Sequence, residues 1–153
     1  MKIMLIAGSA MLLGGFFQLP SAPPMKLGLW EATSTSHMSM PGMPANMPPR
    51  TSKVQTCVAA DSWAKTIGQP QGQDCTKTSE SFSGKTYSAD VSCKSGAKGH
   101  VEMTWDGPDS GHGTMHLDMN MNGHAGSVDM TMSSHFVSAN CGAVQPGKAV
   151  PVQ

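Results

Sequence analysis

Histidine and methionine crowd one short stretch, His37-Met38-Ser39-Met40-Pro41-Gly42-Met43-Pro44-Ala45-Asn46-Met47. Thioethers are soft ligands that select copper(I). A proline-rich loop able to wrap an ion makes His37, Met38, Met40, Met43 and Met47 a candidate copper site. The competing reading puts Met38 and Met40 into a core as flexible gap-fillers, with Met43 and Met47 over a sheet edge. A second constellation is His100, Glu102, His112 and His116. His112 and His116 lie four positions apart, ~13 Å along a strand, too far to share an ion. His100 facing His116 across the intervening turn, with Glu102 beside them, makes a two-histidine, one-carboxylate set of the kind that holds zinc. Its competitor is a solvated sheet face dotted with imidazoles. Strand register decides between them, and the sequence leaves register open.

Enzymatic chemistry has less to stand on. No nucleophile elbow, phosphate-binding loop or His-Glu-x-x-His helix occurs. Asp118 and Asp129 can approach across a turn, yet acids on a solvated face are the ordinary case. The expectation is a non-enzymatic protein with no catalytic residue and no cofactor.

The four cysteines, Cys57, Cys75, Cys93 and Cys141, are spaced 18, 18 and 48 positions apart. Zinc sites want close pairs, so this spacing points to two disulfides in an oxidising compartment. Cys75 stands nine positions before Gly84 and Cys93 nine after it. A three-residue loop centred on Gly84 sets them opposite one another, which pairs Cys75 with Cys93 and Cys57 with Cys141. The rival pairing is Cys57 with Cys75, and sequence alone does not settle connectivity.

The compartment is read from the N-terminus. Met1-Lys2, the apolar run Ile3 to Phe17, and the small residues up to Ala22 have the layout of a secretory signal cut after Ala22. An apolar run of about 15 residues is too short to span a bilayer, which takes ~20. Residues 1–22 are thus expected to be removed. The mature chain should carry no transmembrane segment and work in the periplasm or outside the cell. Without Lys2 it has nine basic and ten acidic side chains, a balance that disfavours nucleic acid as a partner. An envelope protein or a small apolar ligand fits better.

Period-two alternation dominates what must position these residues. Strands are expected at Leu29–Met40, Lys53–Val58, Cys75–Phe82, Lys85–Cys93, His100–Trp105, Gly113–Met119 and Val128–Phe136. Val101, Met103, Trp105, Met115, Leu117, Met130 and Met132 fall on the apolar side. His, Glu, Thr, Asp and Ser fall on the other. Turns belong at Asp106–Asp109 and Asn120–Gly126. Asp61–Ile67 is the one expected helix, with Trp63 and Ile67 on one face. The fold class is therefore mainly β, an antiparallel meander of six to seven strands forming a curved sheet or half-open barrel, with one short helix and two disulfides. Residues 23–142 make one β-rich domain, and 143–153 read as a disordered tail. Trp30, Met103, Trp105 and Met115 either shelter an apolar ligand or fill the core.

Several features taken in order resemble a known family. They are the leader, Leu27-Gly28-Leu29-Trp30-Glu31 opening the domain, the Met40–Pro44 stretch, Val54–Val58 around a cysteine, three Thr/Met strands, and a cysteine just after the last of them. Together they resemble the bacterial domain-of-unknown-function family 3617, small secreted or periplasmic proteins. Members usually carry a proline where this chain has Leu27. The resemblance covers about Met25 to Cys141. It implies an exported, disulfide-bonded β-domain and supplies no activity.

Overall fold

The computed structural model describes residues 22–42, 44, 47–61, 63, 67, 74–121 and 123–152. The expected signal segment, apart from Ala22, and Met43 lie outside the described residues, as does most of the expected helix. Eight strands form one antiparallel sheet: β1 (Gly28–Ser39), β2 (Arg50–Val58), β3 (Cys75–Ser83), β4 (Thr86–Cys93), β5 (Lys98–Gly107), β6 (Ser110–Met121), β7 (His124–Ser138) and β8 (Ala149–Pro151). Their spatial order is β3-β4-β5-β6-β7-β1-β2-β8. β3 to β7 are a true meander. β1 lies beyond β7, pairing with it from Leu29 opposite Ser138 to Ser39 opposite Ser127. The alternation read from the sequence is what the strands obey. Along β6, Gly111, Gly113, Met115 and Leu117 are buried, while His112, Thr114, His116 and Asp118 are exposed.

Four expectations need correction. First, the sheet, open as one of the two expected forms allowed and with β3 and β8 as its edges, has eight strands among the described residues, not six or seven. Both edges are blunted against further pairing. β3 carries a bulge between Lys77 and Ser79 and turns the charges of Lys77 and Glu80 to the core side, where they pair at 3.2 Å. β8 is three residues long and contains Pro151. Second, the stretch expected to lack regular structure carries a short strand. Cys57–Cys141 delivers it to the outer edge of β2, where Ala149 to Pro151 pair with Thr56 to Val54. Third, the β3–β4 hairpin turns on two residues, Gly84 and Lys85, because Ser83 opposes Thr86. The extra residue sits in the bulge instead, and the two offsets together bring Cys75 opposite Cys93. Fourth, the β6–β7 turn is tighter than Asn120–Gly126, since Met121 already opposes His124.

The core lies on one side of the sheet. Trp30, Tyr87, Val91, Val101, Trp105, Met115 and Leu117 are buried there, and Trp63 and Ile67 close over them. The Ile67 N–H donates to the Trp63 carbonyl at 3.1 Å, one turn of helical bonding between two buried side chains. Phe82 stacks on Trp105 with centroids 5.9 Å apart, and Trp30 meets Phe136 edge-on at 6.1 Å. Gly113 makes room for a thioether, because a Cβ there would collide with Sδ of Met103 and the Glu102 carbonyl oxygen. Met38 is an exception to its expected burial. It sits at the end of β1 opposite Val128, beyond the core, and is 37% exposed.

Candidate functional site

The other side of the sheet is where chemistry-bearing side chains gather. Five of the six histidines, His37, His100, His112, His116 and His135, point to it, as do Glu31, Asp90, Glu102, Asp106, Asp118 and Asp129. Lys53 and Lys98 are the lysines among them. Period-two geometry sorts these residues to one face, and register then lines them up. Asp90 opposes His100, His100 opposes His116, His116 opposes Asp129, and Asp129 opposes His37. This is one row across β4, β5, β6, β7 and β1, about 19 Å long at ordinary strand spacing.

Hydrogen bonds join the row in two separate pairs. His100 Nδ1 lies 2.7 Å from Asp90 Oδ1, and His116 Nδ1 lies 2.6 Å from Asp129 Oδ1. His116 Nε2 is 3.3 Å from Asp118 Oδ1 on its own strand. Two rows away, toward the β5–β6 turn, His112 Nδ1 pairs with Asp106 at 3.0 Å. Two shallow depressions of about 490 and 430 Å3 flank the row, and His100 and His116 line both. The smaller also takes in His37 and Asp129.

Carboxylates set the charge states. The hydrogen bond that His116 donates to Asp129, helped by the one to Asp118, holds a proton on the ring and raises it above its ordinary 6.5. Hydrogen bonding to His100, then to Ser79, holds Asp90 below its ordinary 3.8. Glu31 is lowered below 4.5, chiefly by hydrogen bonding to Lys53. On the core side, burial pushes the Tyr87 hydroxyl up, and its bond to Glu80 at 2.9 Å adds to this.

The sequence constellations fare differently. His37 and Met38 alternate on β1, so strand geometry sends the imidazole to the open face and the thioether to the core side. Met40 is half-buried near Gly126, Met47 is half-buried, and Met43 lies outside the described residues. His100 and His116 do oppose one another. Glu102, however, opposes Thr114 in the next row, and Asp118 is the acid on His116. Each of His112 and His116 has its own aspartate. Asp90 and the place of His37 in the row were missed: Asp90 depends on the register of β4 against β5, and His37 on the pairing of β1 with β7, strands far apart in sequence. The pattern His116-Leu117-Asp118, two like-facing residues on one strand, was a signal available to find Asp118.

One bonded chain has the composition of a hydrolytic triad: Asp90 to His100 Nδ1, and His100 Nε2 to Ser88 Oγ at 3.3 Å. Ser88 lies mid-strand in β4, paired on both sides, opposite Ser81 and Glu102. The backbone N–H groups around it serve the sheet ladders, so no pair of donors faces a developing oxyanion there. Of the residues that would shelter an apolar ligand, Trp30, Trp105 and Met115 are buried in one core cluster with Trp63 and Ile67, and Met103 packs half-buried against it.

Among known proteins, residues 25–141 match the model of a family described as a protein of unknown function. The chain belongs to domain-of-unknown-function family 3617. Neither the curated proteins nor the solved structures contain a match. The family match spans all of β1 to β7 and ends on Cys141, so the open face and both disulfides belong to the family domain. β8 lies beyond it.

Proposed function

We propose that this chain is an exported, non-enzymatic binding protein of the cell envelope, and that its ligand-bearing surface is the open histidine–carboxylate face. One observation carries the reading: the row Asp90–His100–His116–Asp129–His37, in register across five strands. A solvated sheet face has no structural need for such a row, since Ser and Thr satisfy it at lower electrostatic cost. Export is supported by the leader-like N-terminus and by the pairing of all four cysteines in two disulfides. No helix among the described residues is long and apolar enough to cross a membrane.

Native mass spectrometry of the protein taken from its own producing cells tests this. The expected mass is that of residues 23–153 with two disulfides, plus a bound component. That component should be lost from a His100→Ala, His116→Ala, Asp129→Asn variant. A bare mass, or a component that the variant retains, counts against the reading.

A further inference from the structure

Three strands carry the centre of the row. His116 on β6 and His37 on β1 flank Asp129 on β7, each directly opposite it. The His116 ring already leans over β7, as its 2.6 Å contact with Asp129 shows. His37 is exposed and makes no hydrogen bond or ion pair with any described residue. It lines the same depression as His116 and Asp129, with Thr35 and Thr131 on the floor. β6 and β1 flank β7 at a separation of ~10 Å. Two imidazoles leaning inward close most of that gap, and a metal–nitrogen bond of ~2 Å from each closes the rest.

We propose that the depression over β7 binds one divalent transition-metal ion of the class imidazole prefers, zinc, copper(II) or nickel(II), through His37, His116 and Asp129. The proposal rests on the reading of the open face as the ligand-bearing surface and names its ligand class. Two histidines and a carboxylate are a recurrent donor set for these ions, with remaining positions left to water or a ligand. As the side chains stand, no three His, Cys, Asp or Glu among the described residues converge on one point. Convergence asks for rotation of the His37 ring, which no hydrogen bond or ion pair to a described residue restrains, and for exchange of the proton between His116 and Asp129 for the ion. The pair so opened is half-exposed, with side chains 49% and 62% accessible, and exposed pairs of this kind are weak beside a metal–nitrogen bond. Asp118 lies on the second ring nitrogen of His116. An outer carboxylate on a ligating imidazole fixes its orientation and strengthens it as a donor. His100 stays outside the donor set because Asp90 and Ser88 turn it toward β4.

The test uses untagged protein produced from the full sequence and stripped with chelator. Zinc chloride is titrated calorimetrically at pH 7.5, and copper(II) sulfate is followed by electron paramagnetic resonance. One ion per chain with micromolar or tighter affinity is expected, with nitrogen hyperfine structure from two imidazoles. His37→Ala and His116→Ala should each weaken zinc roughly tenfold or more, and Asp118→Asn less than either. His112→Ala and His135→Ala, on the same face but outside the row, should leave affinity unchanged. Thermal melts check that each variant is folded. Absence of micromolar binding, or affinity indifferent to His37→Ala and His116→Ala, overturns the proposal. If zinc fails while a co-purified component still depends on the open face, this inference falls and the binding-protein reading stands. If both fail, both readings fall.

Discussion

His116 has an aspartate at each ring nitrogen, Asp129 at 2.6 Å and Asp118 at 3.3 Å. Only an imidazolium can donate to both, so the two carboxylates favour the protonated ring. The expected outcome is an NMR titration midpoint for His116 above the ordinary 6.5, with the Asp129 bond the larger cause. Asp129→Asn should pull the midpoint back further than Asp118→Asn does. Equal effects, or a wild-type midpoint at or below 6.5, contradict the assignment. The face carries little burial, so the effect belongs to local hydrogen bonding rather than to desolvation.

At the scale of elements, the two disulfides do different work. Cys75–Cys93 joins facing residues of one hairpin, 18 positions apart, whose register the strands already fix. Cys57–Cys141 spans 84 positions and ties β2 to the segment after β7. The longer loop loses more unfolded-state entropy, about 4 kcal/mol or slightly more in the chain-entropy model. It also positions β8, whose three residues bury too little to hold themselves. Replacing Cys57 and Cys141 with serine should cost about 2–5 kcal/mol of stability and strip hydrogen-exchange protection from β8. Replacing Cys75 and Cys93 should cost less and leave β8 protected. Hydrogen exchange with mass detection distinguishes the two. The symmetric placement of Cys75 and Cys93 about Gly84 was legible in the sequence. The route to it, a two-residue turn compensated by a bulge, was not, because either loop length satisfies the local turn chemistry.

Across the whole molecule, the sheet separates an apolar face from one carrying six carboxylates, five imidazoles and two lysines. Stability should respond to pH from both sides. Asp90 and Glu31 are lowered on folding. Their contribution is present above the ordinary 3.8 and 4.5 and is lost as pH falls through the lower folded values. His116 is raised, so its contribution is complete below 6.5 and is lost as pH rises through the folded value. Urea midpoints should therefore be highest at about pH 5–6 and fall on either side. A midpoint that climbs steadily from pH 5 to 8 would contradict the contribution of His116.

The sequence by itself determined β1 to β7, the two faces and the fold class. Side-chain alternation is a local property, and it holds in whatever sheet the strand joins. Only the tertiary structure decided which strands neighbour one another, and so which imidazole meets which carboxylate. β1 could not be assigned to β7 from its own residues, because a Thr- and Ser-rich strand fits many partners equally. That pairing brings His37, some 90 positions away in the chain, opposite Asp129. The tail became β8 for the same reason: a disulfide, not a local pattern, carries it to the edge of β2. The histidines were legible as residues on a wet face; their alignment into a row is a consequence of register, which only the assembled sheet fixes.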